Sequence, residues 1–402
     1  MDSRRNIKYT LILILLLLLA YGIWSIRNSM KISDYLEPEI VATHYNGANF
    51  VGSETCMECH PDIYKSHLET AHYKTSAIAD NEHVKGSFNE GYNELNLTGV
   101  RFKMTELNNH LYQYAKAKFG DTLEVRSKLD LVIGSGVKGQ SYLTWNGNEL
   151  YQLQPSYFQP TGSWVNSPSF PEYAVRREVD DTCLKCHVTF AKNTNPKGNS
   201  NTYDREKLLL GIDCQRCHGP LEKHVVYHRN TPNSKSAAYV DDYSTYSRQQ
   251  RLDVCAVCHS GLQAQQIKGN PFSFLSGDTL SLYSKNFRSY NLPLELDVHG
   301  NQMGLLSKSA CFVNTPKMDC MTCHDPHEAE RGNADHFNNK CLTCHNVNSI
   351  NTDNLDVNHT VDQNCISCHM PLSPSKVMKL SVEGQEDEIP VYIRSHLIGI
   401  YD

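Results

Sequence analysis

Apolar positions are distributed unevenly along the chain. Residues 9–26 form an 18-residue run without a charge, mostly leucine and isoleucine, and that length predicts a helix just able to cross a bilayer. Arg4, Arg5 and Lys8 precede the run, which favours an N-terminus on the cytoplasmic side. The run is apolar all round rather than on one face, unlike a surface helix of a globular domain. Ala20-Tyr21-Gly22 is a poor cleavage site for a signal peptide, so the reading is a retained anchor over residues 1–31, a linker over 32–50 and an exported domain over 51–402. Cys56 is the first cysteine, too far along for a lipoprotein.

Period-two alternation begins at about residue 98 and fades near 160. Residues 142–145 and 149–153 read as strands on either side of Asn146-Gly147, a pair that favours a hairpin turn. This stretch predicts a small β-rich lobe. Further on, polar loops at 193–201, 230–247 and 346–358 join short helical turns, and few long amphipathic patterns intervene. The expected fold is mainly α with extensive irregular loops, carrying the β-rich lobe as an insert at about 98–160.

Composition changes this picture. The 402 residues include 15 Cys and 19 His and carry a formal net charge of -6. Mild acidity excludes a basic nucleic-acid-binding surface. Fourteen of the cysteines obey one pattern, C-x-x-C-H, in seven copies: Cys56, Cys59, His60; Cys183, Cys186, His187; Cys214, Cys217, His218; Cys255, Cys258, His259; Cys320, Cys323, His324; Cys341, Cys344, His345; and Cys365, Cys368, His369. Chance at this composition supplies roughly 0.03 copies. Two thiols at this spacing can each add to one vinyl group of a single porphyrin, and the following histidine then lies under the iron as proximal ligand. Zinc sites have no use for a histidine after every second cysteine. Thioredoxin-like motifs come singly, and disulfides closing two-residue loops remove little chain entropy. The pattern therefore calls for seven covalently bound c-type haems. Such haems are attached outside the cytoplasm, which agrees with the predicted anchor.

Twelve histidines remain for the opposite faces of the irons. His72, His224, His327, His336 and His359 lie close to a motif along the chain, and His299 and His396 lie farther off; these seven are the candidate distal ligands, one per haem. His44, His67, His83, His110 and His228 read instead as surface or core hydrogen-bonders. Methionine is the competing distal ligand and would raise the potential, but Met303, Met318, Met321, Met370 and Met378 serve the count less well. Mostly bis-histidine, low-spin haems are expected. Cys311 stands outside the pattern and reads as a buried small hydrophobe. Six motifs crowd into residues 183–369, so the porphyrins are expected to replace an apolar core, and the haem-free polypeptide to stay unfolded.

The run from Cys56 through His60-Pro61-Asp62-Ile63-Tyr64 to Thr70-Ala71-His72 resembles the opening module of multihaem cytochromes of the cytochrome c-552/4 type. These group with the cytochrome c nitrite reductase and hydroxylamine oxidoreductase superfamily. Cys217-His218-Gly219-Pro220 with His224, Cys323-His324-Asp325-Pro326-His327 and Cys368-His369-Met370-Pro371 extend the likeness. The resemblance implies a multihaem cytochrome c fold with haems in close parallel and perpendicular pairs, and distal roles for His72, His224 and His396. His67 stands where relatives often have an aromatic residue. Two functions follow: an electron carrier anchored by its N-terminal helix in the inner membrane with the haem domain in the periplasm, or an oxidoreductase with one open haem acting on a small nitrogen or sulfur compound. The nitrite reductases of that superfamily end their catalytic motif in lysine, and all seven copies here end in histidine, which favours the carrier. Haem propionates would bring the net charge to about -13, favouring basic redox partner proteins.

Overall fold

The computed structural model describes residues 2–29, 37–120, 124–195, 200–262, 264–286, 296–345, 364–382 and 387–401. About 28% of the chain is helical and 26% is strand, so the expected mainly α architecture is corrected to a mixed one in which strands form six sheets among the described residues. The motifs explain the shortfall of helix. Most of them occupy helices of four or five residues, such as Cys214–His218 and Cys365–His369, while short strands such as Val188–Phe190, Leu209–Leu210, Gln265–Gln266 and Ser284–Lys285 lie between the motifs.

Helix α1 covers Asp2–Ser29. Among the described residues, however, no helix is long and apolar enough to cross a membrane. The expected anchor, its membrane contact and the single-pass inner-membrane location are corrected accordingly.

A short hairpin follows, β1 (Ile40–Thr43) with β2 (Asn49–Val51), then helix α2 (Pro61–Leu68), whose proline occupies the first turn, where its missing N–H costs nothing. The chain next enters two sheets. β4 (Glu94–Asn96), β5 (Val100–Leu107), β6 (His110–Ala117) and β7 (Glu124–Lys128) form an antiparallel meander. β3 (Ser76–Ile78), β8 (Leu131–Ile133), β9 (Gly139–Asn146), β10 (Glu149–Gln152), β11 (Pro155–Phe158), β12 (Ser163–Asn166) and β13 (Arg177–Glu178) form the second sheet, with β9 in touch with β8, β10 and β11. Alternation drives the packing: Val100, Phe102 and Met104 on β5 face inward while Arg101 and Lys103 face water. The inward side chains meet Leu95, Leu111, Leu129, Val132, Tyr142, Leu153 and Trp164 in one apolar core. Gly86 lets the Trp164 indole lie against the backbone, because a Cβ there would sit 2.2 Å from the ring.

This lobe therefore has an ordinary core, and the expectation that porphyrins take the place of one narrows to the remainder of the chain. A second cluster ties the lobe to the first motifs. Leu143 and Leu150 pack with Phe50, Leu184, Val188, Phe190, Tyr203 and Phe272, around the pair β14 (Val188–Phe190) and β15 (Leu209–Leu210). Beyond residue 214 the elements are mostly short. The longer ones are α3 (Glu222–Asn230), α4 (Arg248–His259) and α5 (Ala334–Leu342), with a hairpin of Leu372–Leu380 and Ile389–Arg394 near the C-terminus.

Candidate haem centres

Each motif is essentially one helical turn. The His60 N–H donates to Cys56 O at 2.8 Å, His324 to Cys320 at 3.0 Å and His345 to Cys341 at 2.9 Å. An i to i+4 bond of this kind puts both thiols and the imidazole on one face, which is why the spacing is x-x and not longer. Isolated turns are poor helices, and aspartate caps secure several of them. Asp180 accepts from the N–H groups of Thr182 and Cys183, Asp213 from Cys214 and Asp319 from Thr322. The fourth motif ends α4, which Ser247 and Gln250 start with a reciprocal cap. Arg251 of α4 then reaches Asp319 at 2.6 Å, joining the fourth motif to the cap of the fifth.

Several of the histidine rings are held by one nitrogen. Nδ1 of His187 lies 3.0 Å from Thr75 Oγ1, that of His259 3.2 Å from Gln302 Oε1, that of His324 3.1 Å from Glu330 Oε2, and that of His369 2.8 Å from the Gly399 carbonyl. His224 Nδ1 is likewise held by the Ala238 carbonyl at 2.8 Å. Metal-binding histidines are oriented in this way, with the second nitrogen left for the metal. Three pairs of rings then face one another with centroids 6.2 Å apart: His72 with His259, His218 with His327 and His324 with His396. Two imidazoles bound to one iron at about 2 Å each, with about 1.1 Å from nitrogen to ring centre, give roughly the same spacing. His224 also lies within electrostatic reach of His60, and His299 within reach of His187. Desolvation pushes His72, His187, His218 and His396 down to about 4, with neighbouring imidazoles adding to it. They are neutral at pH 7, as iron ligands must be. The residues present therefore fit covalent haem with two axial histidines.

Position along the chain does not decide which ring faces which. His72 lies twelve residues past His60 yet faces His259, and His327 lies three past His324 yet faces His218. His336 places its Nε2 3.0 Å from Glu330 Oε1. His359 lies outside the described residues. Among the histidines set aside, His44 is a core hydrogen-bonder to the Phe272 carbonyl, His83 pairs with Asp80 on the surface and His110 is exposed at the start of β6. His67 bonds the Ile212 carbonyl at 3.0 Å and leaves a buried Nδ1 without a partner, and His228 has a buried Nε2 in the same condition, its ring 4.6 Å from that of His224. Cys311 is half-buried. Met303 packs in a small apolar cluster with Ala256 and Val257.

Thiols of different motifs also come together. Cys56 lies beside Cys214, Cys186 beside Cys258, Cys255 beside Cys320 and Cys341 beside Cys365. Cys258 Sγ lies 3.3 Å from the Lys185 carbonyl in the second motif. The third motif reaches the fourth through Cys217 and Cys258, and the fifth reaches the sixth through Cys323 and Cys341. All seven attachment points form one contiguous set, with the fourth motif at its branch. Arg216, inside the third motif, sends Nη2 to the Lys185 carbonyl and keeps a buried Nε without a partner. Sequence reasoning missed Thr75, Gln302 and Glu330, whose bonds to the ligand rings have no motif of their own, and the bond that Asp325 makes to His327.

Repeated thioether-forming turns, imidazoles oriented by their Nδ1 atoms and rings facing across an iron-sized gap define a multihaem c-type cytochrome. Comparison with known proteins agrees. Residues 161–219 match the family described as cytochrome c554 and c-prime, a segment that holds the second and third motifs. The chain is 26% identical over 197 residues to the multiheme cytochrome MtrA of Shewanella baltica (strain OS185), covering 47% of this chain and 52% of that one. It thus spans about half the length of that curated relative. The crystal structure of the outer cell wall cytochrome OcwA shares the fold at a TM-score of 0.51 and 17% identity, covering 87% of this chain and 79% of that one.

Proposed function

We propose that this cytochrome carries electrons between redox partner proteins along seven covalently bound haems of the cytochrome c-552/4 type. The thiols named in the seven motifs would hold the haems. His60, His187, His218, His259, His324, His345 and His369 would be the proximal ligands, His224, His299, His327, His72 and His396 would face the first five of these in that order, and His336 and His359 remain the candidates for the last two. When bound, each haem supplies reversible one-electron chemistry at its iron. The protein's own part is to keep the rings neutral and to fix several of them through Nδ1, so that ligation changes little when an electron arrives. The close approach of cysteines from different motifs would keep the attachment points contiguous. At three motifs a second imidazole stands where a small substrate would have to bind, and that observation favours transfer over catalysis. A net charge of about -13 with haem favours basic partners and a salt-sensitive encounter.

Electron paramagnetic resonance of the oxidised protein tests this reading. Low-spin signals are expected, together with a ferrous spectrum indifferent to carbon monoxide. A high-spin ferric signal matched by a carbon monoxide shift would return the molecule to the oxidoreductase alternative. In His327→Ala, one haem is expected to turn high-spin with no haem lost.

A further inference from the structure

The acceptors that hold the ligand rings fall into two chemical classes. Thr75 offers a hydroxyl to His187, Gln302 an amide oxygen to His259, and Gly399 and Ala238 offer backbone carbonyls to His369 and His224. These are neutral. The rings of His324 and His327 are held by carboxylates, both from the loop that follows the fifth motif. Glu330 places Oε2 3.1 Å from His324 Nδ1 and Oε1 3.0 Å from His336 Nε2, and accepts the Asp325 N–H at 2.7 Å. Three donors converge on this carboxylate and fix it, and its side chain is only 10% exposed. Asp325 places Oδ1 3.1 Å from His327 Nδ1, with a side chain 53% exposed.

We propose that Glu330, and more weakly Asp325, set the haems of the fifth and third motifs at the low-potential end of the set. The inference rests on the ligand assignment of the preceding section. A carboxylate that accepts the Nδ1–H draws the proton toward itself and raises the electron donation of Nε2, which favours ferric over ferrous iron. Its full negative charge acts in the same direction, because the ferric centre carries one more positive charge. A hydroxyl, an amide or a carbonyl supplies only a weaker form of the first effect. Solvent screens an exposed carboxylate, so Glu330 acts more strongly than Asp325. One loop thereby biases two of the three haems that adjoin the fourth motif and leaves the haem of the fourth motif, whose His259 is held by a neutral amide, easier to reduce than either. Glu330 and Asp325 are positioning residues: each touches the ligand and not the iron.

Potentiometric titration of the holoprotein, followed by visible and paramagnetic resonance spectra, tests the proposal. In Glu330→Gln one midpoint is expected to leave the low end of the set and rise. Asp325→Asn should give a smaller rise of a second midpoint. Haem mass and low-spin signals stay as they were in both. Midpoints superimposable on those of the unaltered protein, with low-spin spectra retained, overturn the inference. Gln302→Glu provides the converse should Glu330→Gln fail to fold: one midpoint is expected to fall, and no fall overturns the proposal. High-spin signals in the unaltered protein would instead sink the ligand assignment on which the inference rests, so the two failures are distinguishable.

Discussion

The β lobe and the motif-rich remainder are two different kinds of protein in one chain. From Ser76 to Glu178 the polypeptide satisfies its backbone in two sheets and buries Phe102, Leu111, Tyr142 and Trp164 among apolar neighbours. From Cys214 to His345 it makes helices of mostly one or two turns, and among the described residues a small apolar cluster centres on Ala256, Val257, Phe274 and Leu280. Burial of apolar side chains at about 25 cal/mol per Å² stabilises the first region from sequence alone. The second holds its histidines and thiols face to face, an arrangement that becomes favourable only when a shared group joins them. One chain thus combines a self-sufficient fold with a fold completed by chemistry.

Removing the haem separates the two most sharply. In a host unable to attach haem, hydrogen exchange is expected to find the lobe's strands protected and the segment from Cys214 onward unprotected. Uniform protection, or none anywhere, breaks the distinction. Next in size, Phe102→Ala empties the lobe core and is expected to cost about 3–5 kcal/mol by denaturant titration. The haem spectrum should be unchanged below the transition. Arg251→Ala leaves the mostly buried Asp319 carboxylate without its 2.6 Å partner, and a loss of about 3 kcal/mol is expected. That loss should show in the haem bands and not in far-ultraviolet signals of the sheets. The smallest effect belongs to Gly147→Ala. With φ at +57° and open space around it, this turn residue should cost about 1 kcal/mol through backbone strain alone.

The same division governs what could be read from residues. Cysteine and histidine spacing announces the haem turns because their chemistry is local, within five consecutive positions. The Asn146-Gly147 turn is local too, and β9 and β10 pair across it. A second turn, Asn108-Asn109, has both residues at positive φ, a conformation asparagine tolerates without the glycine that usually marks it. Strands of two to four residues, such as β3, β4 and β13, are too short to show alternation and extend the sheets outside 98–160. The partners of the rings are beyond local reading altogether. His187 meets Thr75 112 positions away, and His72 meets His259 across the whole lobe. Such pairings depend on the three-dimensional course of the chain, which no spacing encodes.

Intact-mass measurement of the chain matured in a host competent for haem attachment addresses the central claim most directly. The account predicts the polypeptide mass plus seven haem increments that survive denaturation. The bare polypeptide mass would contradict it.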